Sequence, residues 1–366
     1  MAKLIYAASP DSADMLYATG FQAPDAFIFL EHRGKTAVLL SDLEIDRGRR
    51  EARVDEVLSL TELARGLGER PSVGAVAAKL LRRLRIRRVD VPADFPLGMA
   101  RMLEKSGIKV VPVEGHFWPE RECKSPREIG QIRRAASLAG AGILRAVEVL
   151  RASKIGRSGK LTWGGRPLTS ELLRAEIDCA VLHAGGAVEG TIVAGGRQAC
   201  DPHERGHGPL RAHQLIILDV FPRDRATGFY GDLTRTVVRG RADEAQRRMW
   251  QTVCEAQRLA IRMMKPGVKG AAVHKTVQEF FRAEGYPTGR KGGRWTGFFH
   301  GTGHGLGLDL HEEPRLAATS FRAGQVFTVE PGLYYPSVGG ARHEDMIVVT
   351  ATGNRRLSRL DVPLEL

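Results

Sequence analysis

LIILDVFPRDRATGFYGDLTRTVV, residues 215–238, reads as two apolar strands joined by a turn near 225–228. Asp219 follows four apolar residues and Asp232 opens the returning strand. A carboxylate so placed either faces water at a strand end or belongs to a polar site, because burying an unpaired charge is costly. A hairpin can bring both acids to one place. Thr234, Arg235 and Thr236 could bond the Asp232 carboxylate or an adjacent loop, and a plain salt bridge from Arg235 to Asp232 is the bland alternative.

Further acids and imidazoles lie on either side of this hairpin. FFHGTGHGLGLDLHEEP (298–314) has glycines at 301, 303, 305 and 307, which disfavour a helix and let backbone approach an ion or substrate. It carries His300, His304 and His311. Glu330 ends the strand-like QVFTVE and is turned by Pro331-Gly332. Glu344 stands in GGARHED, just before MIVVT. Upstream, ACDPHERGHG is loop-like and holds His203, with His207 as its exposed neighbour. Asp219, Asp232, His304, Glu330 and Glu344 together offer four carboxylates and one imidazole. That donor set suits two hard or borderline divalent ions sharing bridging carboxylates. Two such ions can bind one water and lower its pKa, which points to a metal-dependent hydrolase.

The rest of the chain supplies the frame. Residues 1 to about 118 read as a small α/β domain, with strand-like LIYA, AFIFLE, TAVLLS and RRVDVP and the amphipathic helix GAVAAKLLRRLRI. Asp11 to Asp14 is a plausible helix start. Pro119 marks a boundary, and Ser125-Pro126-Arg127-Glu128 starts a long helix to about Leu150. Further helices are expected at 169–183, 243–264 and 270–284. Strand-like runs surround the acids, giving an α+β pattern in which antiparallel strands carry the chemistry. The expected domains are 1–120 and 121–366.

Composition narrows the class. The 366 residues carry a net charge of +13, but the arginines are scattered and not interleaved with aromatics, so a nucleic-acid partner is not expected. No apolar run is long enough for a transmembrane helix and the N-terminus does not read as a secretory signal. The four cysteines are dispersed, which suggests a reducing cytoplasm without disulfides or a cysteine zinc site.

The order Asp, Asp, His, Glu, Glu, in the flanks LDV…GDLTRT, HGTGHGLGLDLHE, VEPGLY and RHED, resembles the pita-bread metallopeptidase family (M24), the group of methionine aminopeptidase, aminopeptidase P and prolidase. The segment from Asp14 through Tyr17-Ala18-Thr19-Gly20-Phe21 to Pro24-Asp25-Ala26-Phe27 resembles a creatinase-type N-terminal domain, and Arg342 looks like the arginine of the Xaa-Pro branch. Creatinase shares both domains but not the metal ligands. The resemblance implies a pita-bread catalytic domain behind a smaller α/β domain, and hydrolysis of the Xaa-Pro bond by a dipeptidase or aminopeptidase P.

It further implies a metal-bridged hydroxide as nucleophile. Asp219 would bind one ion and His304 the other, with Asp232 and Glu344 bridging and Glu330 completing the site. His300 or His311 would donate to the oxyanion, Glu330 would shuttle a proton to the proline nitrogen, and His203 and Arg342 would orient the substrate, Arg342 through a carboxylate. Mn2+ is the first choice of ion, with Co2+ or Zn2+ as alternatives. The expected partners are a small peptide with proline second and, as a homodimer, a second copy of the chain. The rival readings are the same metals acting on a non-peptide substrate and a non-catalytic binding module. Three positions depart from the family pattern. Phe221 replaces a glycine, His343 replaces an apolar residue, and thirteen positions separate Asp219 from Asp232, about two more than usual. The longer hairpin tip is expected near the mouth of the site.

Overall fold

The computed structural model describes residues 2–366. Two compact units divide the chain, Met1–Pro119 and Glu120–Leu366. In the first, β1 (Ala2–Ala7), α1 (Ala13–Thr19), β2 (Phe27–His32), β3 (Lys35–Leu40), α2 (Ile45–Glu51) and β4 (Glu56–Ser59) precede α3 (Leu60–Ala64), α4 (Val73–Arg83), β5 (Arg88–Val91), α5 (Leu97–Lys105) and β6 (Lys109–Pro112). One sheet in the order β4-β3-β2-β1-β5-β6 holds them together. It is antiparallel at β1–β2 and β2–β3 and parallel elsewhere. Its strands are apolar at successive positions because both faces are covered. Leu4, Ile28 and Leu39 pack with α3, α4 and α5, while Ile5, Phe29 and Val38 pack with α1, α2 and Trp118.

The second unit opens with α6 (Pro126–Ala152), whose start is the capping box foreshadowed by Ser125 and Glu128. A small meander of β7 (Lys154–Ile155), β8 (Leu161–Trp163) and β9 (Arg166–Pro167) leads to α7 (Ser170–His183), capped by Thr169. Then come β10 (Gly186–Ala187), β11 (Ile192–Gly195), β12 (Leu215–Val220), β13 (Arg223–Asp224) and β14 (Leu233–Val238). Helices α8 (Glu244–Met263) and α9 (Gly270–Ala283) precede the short hairpin β15 (Gly289–Lys291) and β16 (Arg294–Thr296). The chain ends with β17 (Val326–Val329), β18 (Gly332–Tyr335), β19 (Gly339–Arg342), β20 (Asp345–Val349) and β21 (Asn354–Arg356).

Two antiparallel sheets position the site, β11-β12-β14 and β17-β20-β21, with β18–β19 as a separate pair. Helices α6 and α7 cover the first through Ile143, Val147 and Ile177 against Ile216, Leu218 and Val237. Helices α8 and α9 cover the second through Val253 and Val277 against Phe327 and Ile347. Full burial of each such side chain contributes about 1.5–3 kcal/mol, so the strands that carry the acids sit on a firm apolar base. Where α6 passes α7, a Cβ on Gly142 would come within 2.9 Å of Ile177 and Val181, so only glycine allows that approach. The α+β class expected from the sequence is the class observed. No helix among the described residues is long and apolar enough to cross a membrane.

Candidate metal centre

Asp219 lies in β12 opposite Thr234 of β14, and Asp232 stands one residue before β14. Glu330 directly follows β17 and Glu344 directly precedes β20, two strands paired Val329 to Asp345. The sheets are joined at this level, because Glu344 N–H donates to the Thr234 carbonyl at 3.1 Å. The glycine-rich segment is laid against β17. His304 N–H donates to Thr328 Oγ1 at 3.0 Å and Thr328 N–H donates back to the His304 carbonyl at 2.9 Å. A Cβ on Gly303 would fall 2.0 Å from the Thr328 carbonyl oxygen, which makes glycine obligatory there.

All five expected ligands line one cavity of about 990 Å3. One atom each from Asp232, His304 and Glu344 lies within 4.8 Å of the other two. His304 Nε2 stands 3.5 Å from Asp232 Oδ2 and 3.7 Å from Glu330 Oε1. His304 Nδ1 is 3.1 Å from the Gly305 carbonyl, so the proton of a neutral ring belongs on Nδ1 and Nε2 presents its lone pair to the carboxylates. Lone pairs that face one another across a buried gap ask for a cation between them.

Two further observations agree. Asp219 Oδ1 and Glu344 Oε1 are buried without a hydrogen-bond partner among the described residues. Such orphans are rare in folded proteins and each calls for an explanation. Burial, then the charges of Asp219 and Glu330, hold the Asp232 carboxyl well above the usual range. Burial and the Asp232 charge do the same to Glu344. Carboxylate oxygens with one imidazole nitrogen suit hard or borderline divalent ions, so the residues fit such a centre.

The other opposing positive charge is already engaged. Arg342 donates to Asp219 Oδ2 at 2.6 Å, to Tyr334 Oη at 2.9 Å and to Thr234 Oγ1 at 3.3 Å. Thr234 Oγ1 in turn donates to Glu344 Oε2 at 2.7 Å. Arg342 is buried at the cavity wall and its guanidinium is held against Asp219. The proposed oxyanion role of His300 meets an obstacle. Its Nδ1 lies 2.8 Å from the Gly301 carbonyl, and its Nε2 lies 2.8 Å from Tyr334 Oη, so both nitrogens are occupied. Burial and then Arg342 depress its pKa to about 3, which keeps the ring neutral.

His311 stacks edge-on against His304 at 4.2 Å and borders the cavity. Burial, then the neighbouring His304, lowers its pKa to about 4. His203 is an exposed part of the cavity wall, whereas His207 pairs with Glu204 outside it. Arg235 does not pair with Asp232. It reaches Asp345 at 2.8 Å and the carbonyls of Leu360 and Glu344. His343 is buried and held neutral, its pKa lowered to about 3 by burial and Arg235, so it fills the place of an apolar side chain. Of the long hairpin tip only Phe221 borders the cavity. Beyond it β13 pairs with β10, and the buried Asp224 caps the turn through Ala226 N–H and Thr227 Oγ1 and meets Arg134 of α6 at 3.0 Å. The tip is therefore braced against α6 and β10, and Phe221 is the part of it that reaches the cavity.

Two side chains escaped the sequence reading, Tyr334 and Glu312. Tyr334 looked like an ordinary strand aromatic in GLYY, yet it links Arg342 to His300. Glu312 is clamped by Lys124 at 2.6 Å and Arg121 at 2.7 Å and fixes the segment that presents His311.

Comparison with known proteins gives the family and the fold. Residues 130–351 match the model of metallopeptidase family M24. The chain is 33% identical to an Xaa-Pro dipeptidase of Pyrococcus furiosus over 175 residues, 47% of each chain, so the matched part spans about half of that relative. It is 28% identical to an Xaa-Pro dipeptidase of Pyrococcus horikoshii over 284 residues, covering 75% of this chain and 74% of the relative. The structure of an X-Pro aminopeptidase from Thermotoga maritima superimposes with a TM-score of 0.84 at 23% identity, covering all of this chain and 97% of the other. At that identity the likeness speaks for the fold.

Proposed function

Because this chain belongs to metallopeptidase family M24, we propose that it is a metal-dependent peptidase that hydrolyses the bond between an amino-terminal residue and proline. The observation that carries the reading is the pair of orphaned, buried oxygens on Asp219 and Glu344 beside the His304 lone pair. The Xaa-Pro preference is supported by the relatives that carry that name over much of the chain.

Asp219, Asp232, His304, Glu330 and Glu344 would hold two divalent ions, manganese by preference. When bound, such ions would supply Lewis acidity for a water and for the scissile carbonyl. The protein's own groups do the rest. His311 borders the cavity beside His304 and would donate to the developing oxyanion, since His300 is bound to Tyr334 and Gly301. Glu330, at the wall beside His304, would pass a proton to the proline nitrogen, a secondary amine that must leave protonated. Arg342 holds the Asp219 carboxylate in place through a charge-assisted bond of 2.6 Å. Arg315 borders the same cavity, 3.4 Å from Glu313 and with its side chain 84% exposed, and would meet the free carboxylate of a short peptide. A homodimer in the cytoplasm completes the proposal, and the four free cysteines agree with a reducing compartment.

The test is release of product from Ala-Pro and from Ala-Pro-Ala by chelated protein with and without manganese. Metal-dependent cleavage of the dipeptide alone defines a dipeptidase, and cleavage of the tripeptide an aminopeptidase. Metal-loaded protein that cleaves neither sinks the reading.

A further inference from the structure

We propose that Phe221, with Ile192 and Phe299, forms an apolar wall that receives the side chain of the substrate's amino-terminal residue and favours a leucine-like side chain over none. The inference rests on the peptidase reading above.

Phe221 is a large apolar side chain that borders the cavity and takes no part in the chemistry. It stands two residues beyond Asp219, and both border the same cavity. Ile192, the cross-strand partner of Asp219, borders it as well. Phe299 completes the surface, packed on Tyr334 with ring centroids 5.3 Å apart. All three rest on the buried Ala194, Ala199 and Ile217. The Phe221 ring is seated on Gly190, where a Cβ would come within 3.1 Å of it. Gly190 has φ +93°, so the backbone there is made for glycine and the ring lies against it. This is a supported apolar face, not a loose side chain at a loop tip.

The polarity of the cavity orders the substrate along it. Arg315, on the segment of His311, offers a cation to the peptide's carboxylate. The substrate's ammonium is drawn instead toward the acids, of which Asp219 adjoins the wall. The first side chain then lies beside Phe221, and the proline lies toward Arg315. Contact with a preformed apolar wall discriminates side chains that differ by a few methylenes by about 10- to 200-fold.

The experiment compares Leu-Pro with Gly-Pro in the unaltered protein, Phe221→Ala and Phe221→Leu. Hydrolysis is measured on manganese-loaded protein, and binding of the same dipeptides by calorimetry on chelated protein. The expected result is a fall of about tenfold in the Leu-Pro to Gly-Pro ratio for Phe221→Ala, in both kcat/KM and affinity, with most of it restored in Phe221→Leu. An unchanged ratio, or an equal loss for both dipeptides, overturns the wall. A raised ratio also overturns it, since the ring would then be a steric stop. If unaltered, metal-loaded protein hydrolyses neither dipeptide, the Xaa-Pro reading fails. The wall is then judged on the binding ratio alone, and failure to bind either dipeptide overturns it too.

Discussion

Two sets of buried carboxylates border the same cavity and are treated in opposite ways. Glu312 is matched charge for charge. Its side chain is 5% exposed, Lys124 beside it is 2% exposed and Arg121 is 9% exposed, and Arg121 also reaches Asp309 at 2.8 Å. Burial pushes the Glu312 carboxyl up, but Lys124 and Arg121 outweigh it and leave the group below the ordinary carboxylate range. Asp219, Asp232, Glu330 and Glu344 crowd together against Arg342 and His304, and burial with mutual repulsion holds Asp232 and Glu344 well above that range. A buried charge that the chain neutralises itself is scaffold. A buried excess of one sign is a demand for something from solution.

The severest break of this contrast is Asp232→Asn. It removes one negative donor from the deficient set, and bound metal and hydrolysis should disappear together. The loss should exceed the 10- to 100-fold typical of residues that merely orient a ligand. Elemental analysis beside the peptidase assay reads it, and a fully active, metal-loaded variant ends the assignment.

Next in size is Glu312→Gln, which leaves Lys124 and Arg121 facing an uncharged partner. Breaking a buried pair in this way costs about 3–5 kcal/mol, or roughly 10 °C in melting temperature for a unit of this size. The pH dependence follows from the depressed folded pKa. The stability due to Glu312 is present above the unfolded value near 4.3 and is lost as pH falls through the folded one. The variant should therefore lack that part of the acid-induced loss. Equal melting temperatures at pH 7 would show that the clamp is idle.

Smaller again is the response to metal. Manganese at about a hundred times its dissociation constant should stabilise the chelated protein by about 2.7 kcal/mol, whereas Glu312 needs no such partner. Melting curves with and without the ion, in the unaltered protein and in Asp232→Asn, separate the two cases. An equal gain in both would place the binding elsewhere.

The smallest effect tests how Arg342 is held. Tyr334→Phe removes the hydroxyl that links Arg342 to His300 while leaving the Arg342–Asp219 pair intact. A fall of about tenfold in kcat with metal content kept is expected of a group that orients others. Loss of metal instead would make Tyr334 part of the centre's assembly.

What could be read beforehand follows the range of the interaction. The helix start at Ser125-Pro126-Arg127-Glu128 is a local signal, and α6 begins there; α8 likewise occupies the stretch expected at 243–264. The five clustered donors were visible because each lies in a short segment of unusual composition. Pairings across the chain were not visible. Glu312 meets Lys124 from 188 positions away, and no local pattern announces that. The suggested Asp232–Arg235 bridge fails for a geometric reason, since residues an odd number apart on an extended chain point to opposite faces. The short strands β15, β16 and β19 were missed because three or four residues with few apolar side chains carry no alternation to read.

The ion pair of Asp219 with Arg342 spans 123 positions, and the bond from Thr234 to Glu344 spans 110. Contacts this distant form late, after the loops between them have closed. A chain still leaving the ribosome therefore has no complete cluster of these donors until Glu344 and β20 have emerged and docked. Manganese present during refolding should raise the final yield of native protein without quickening its appearance.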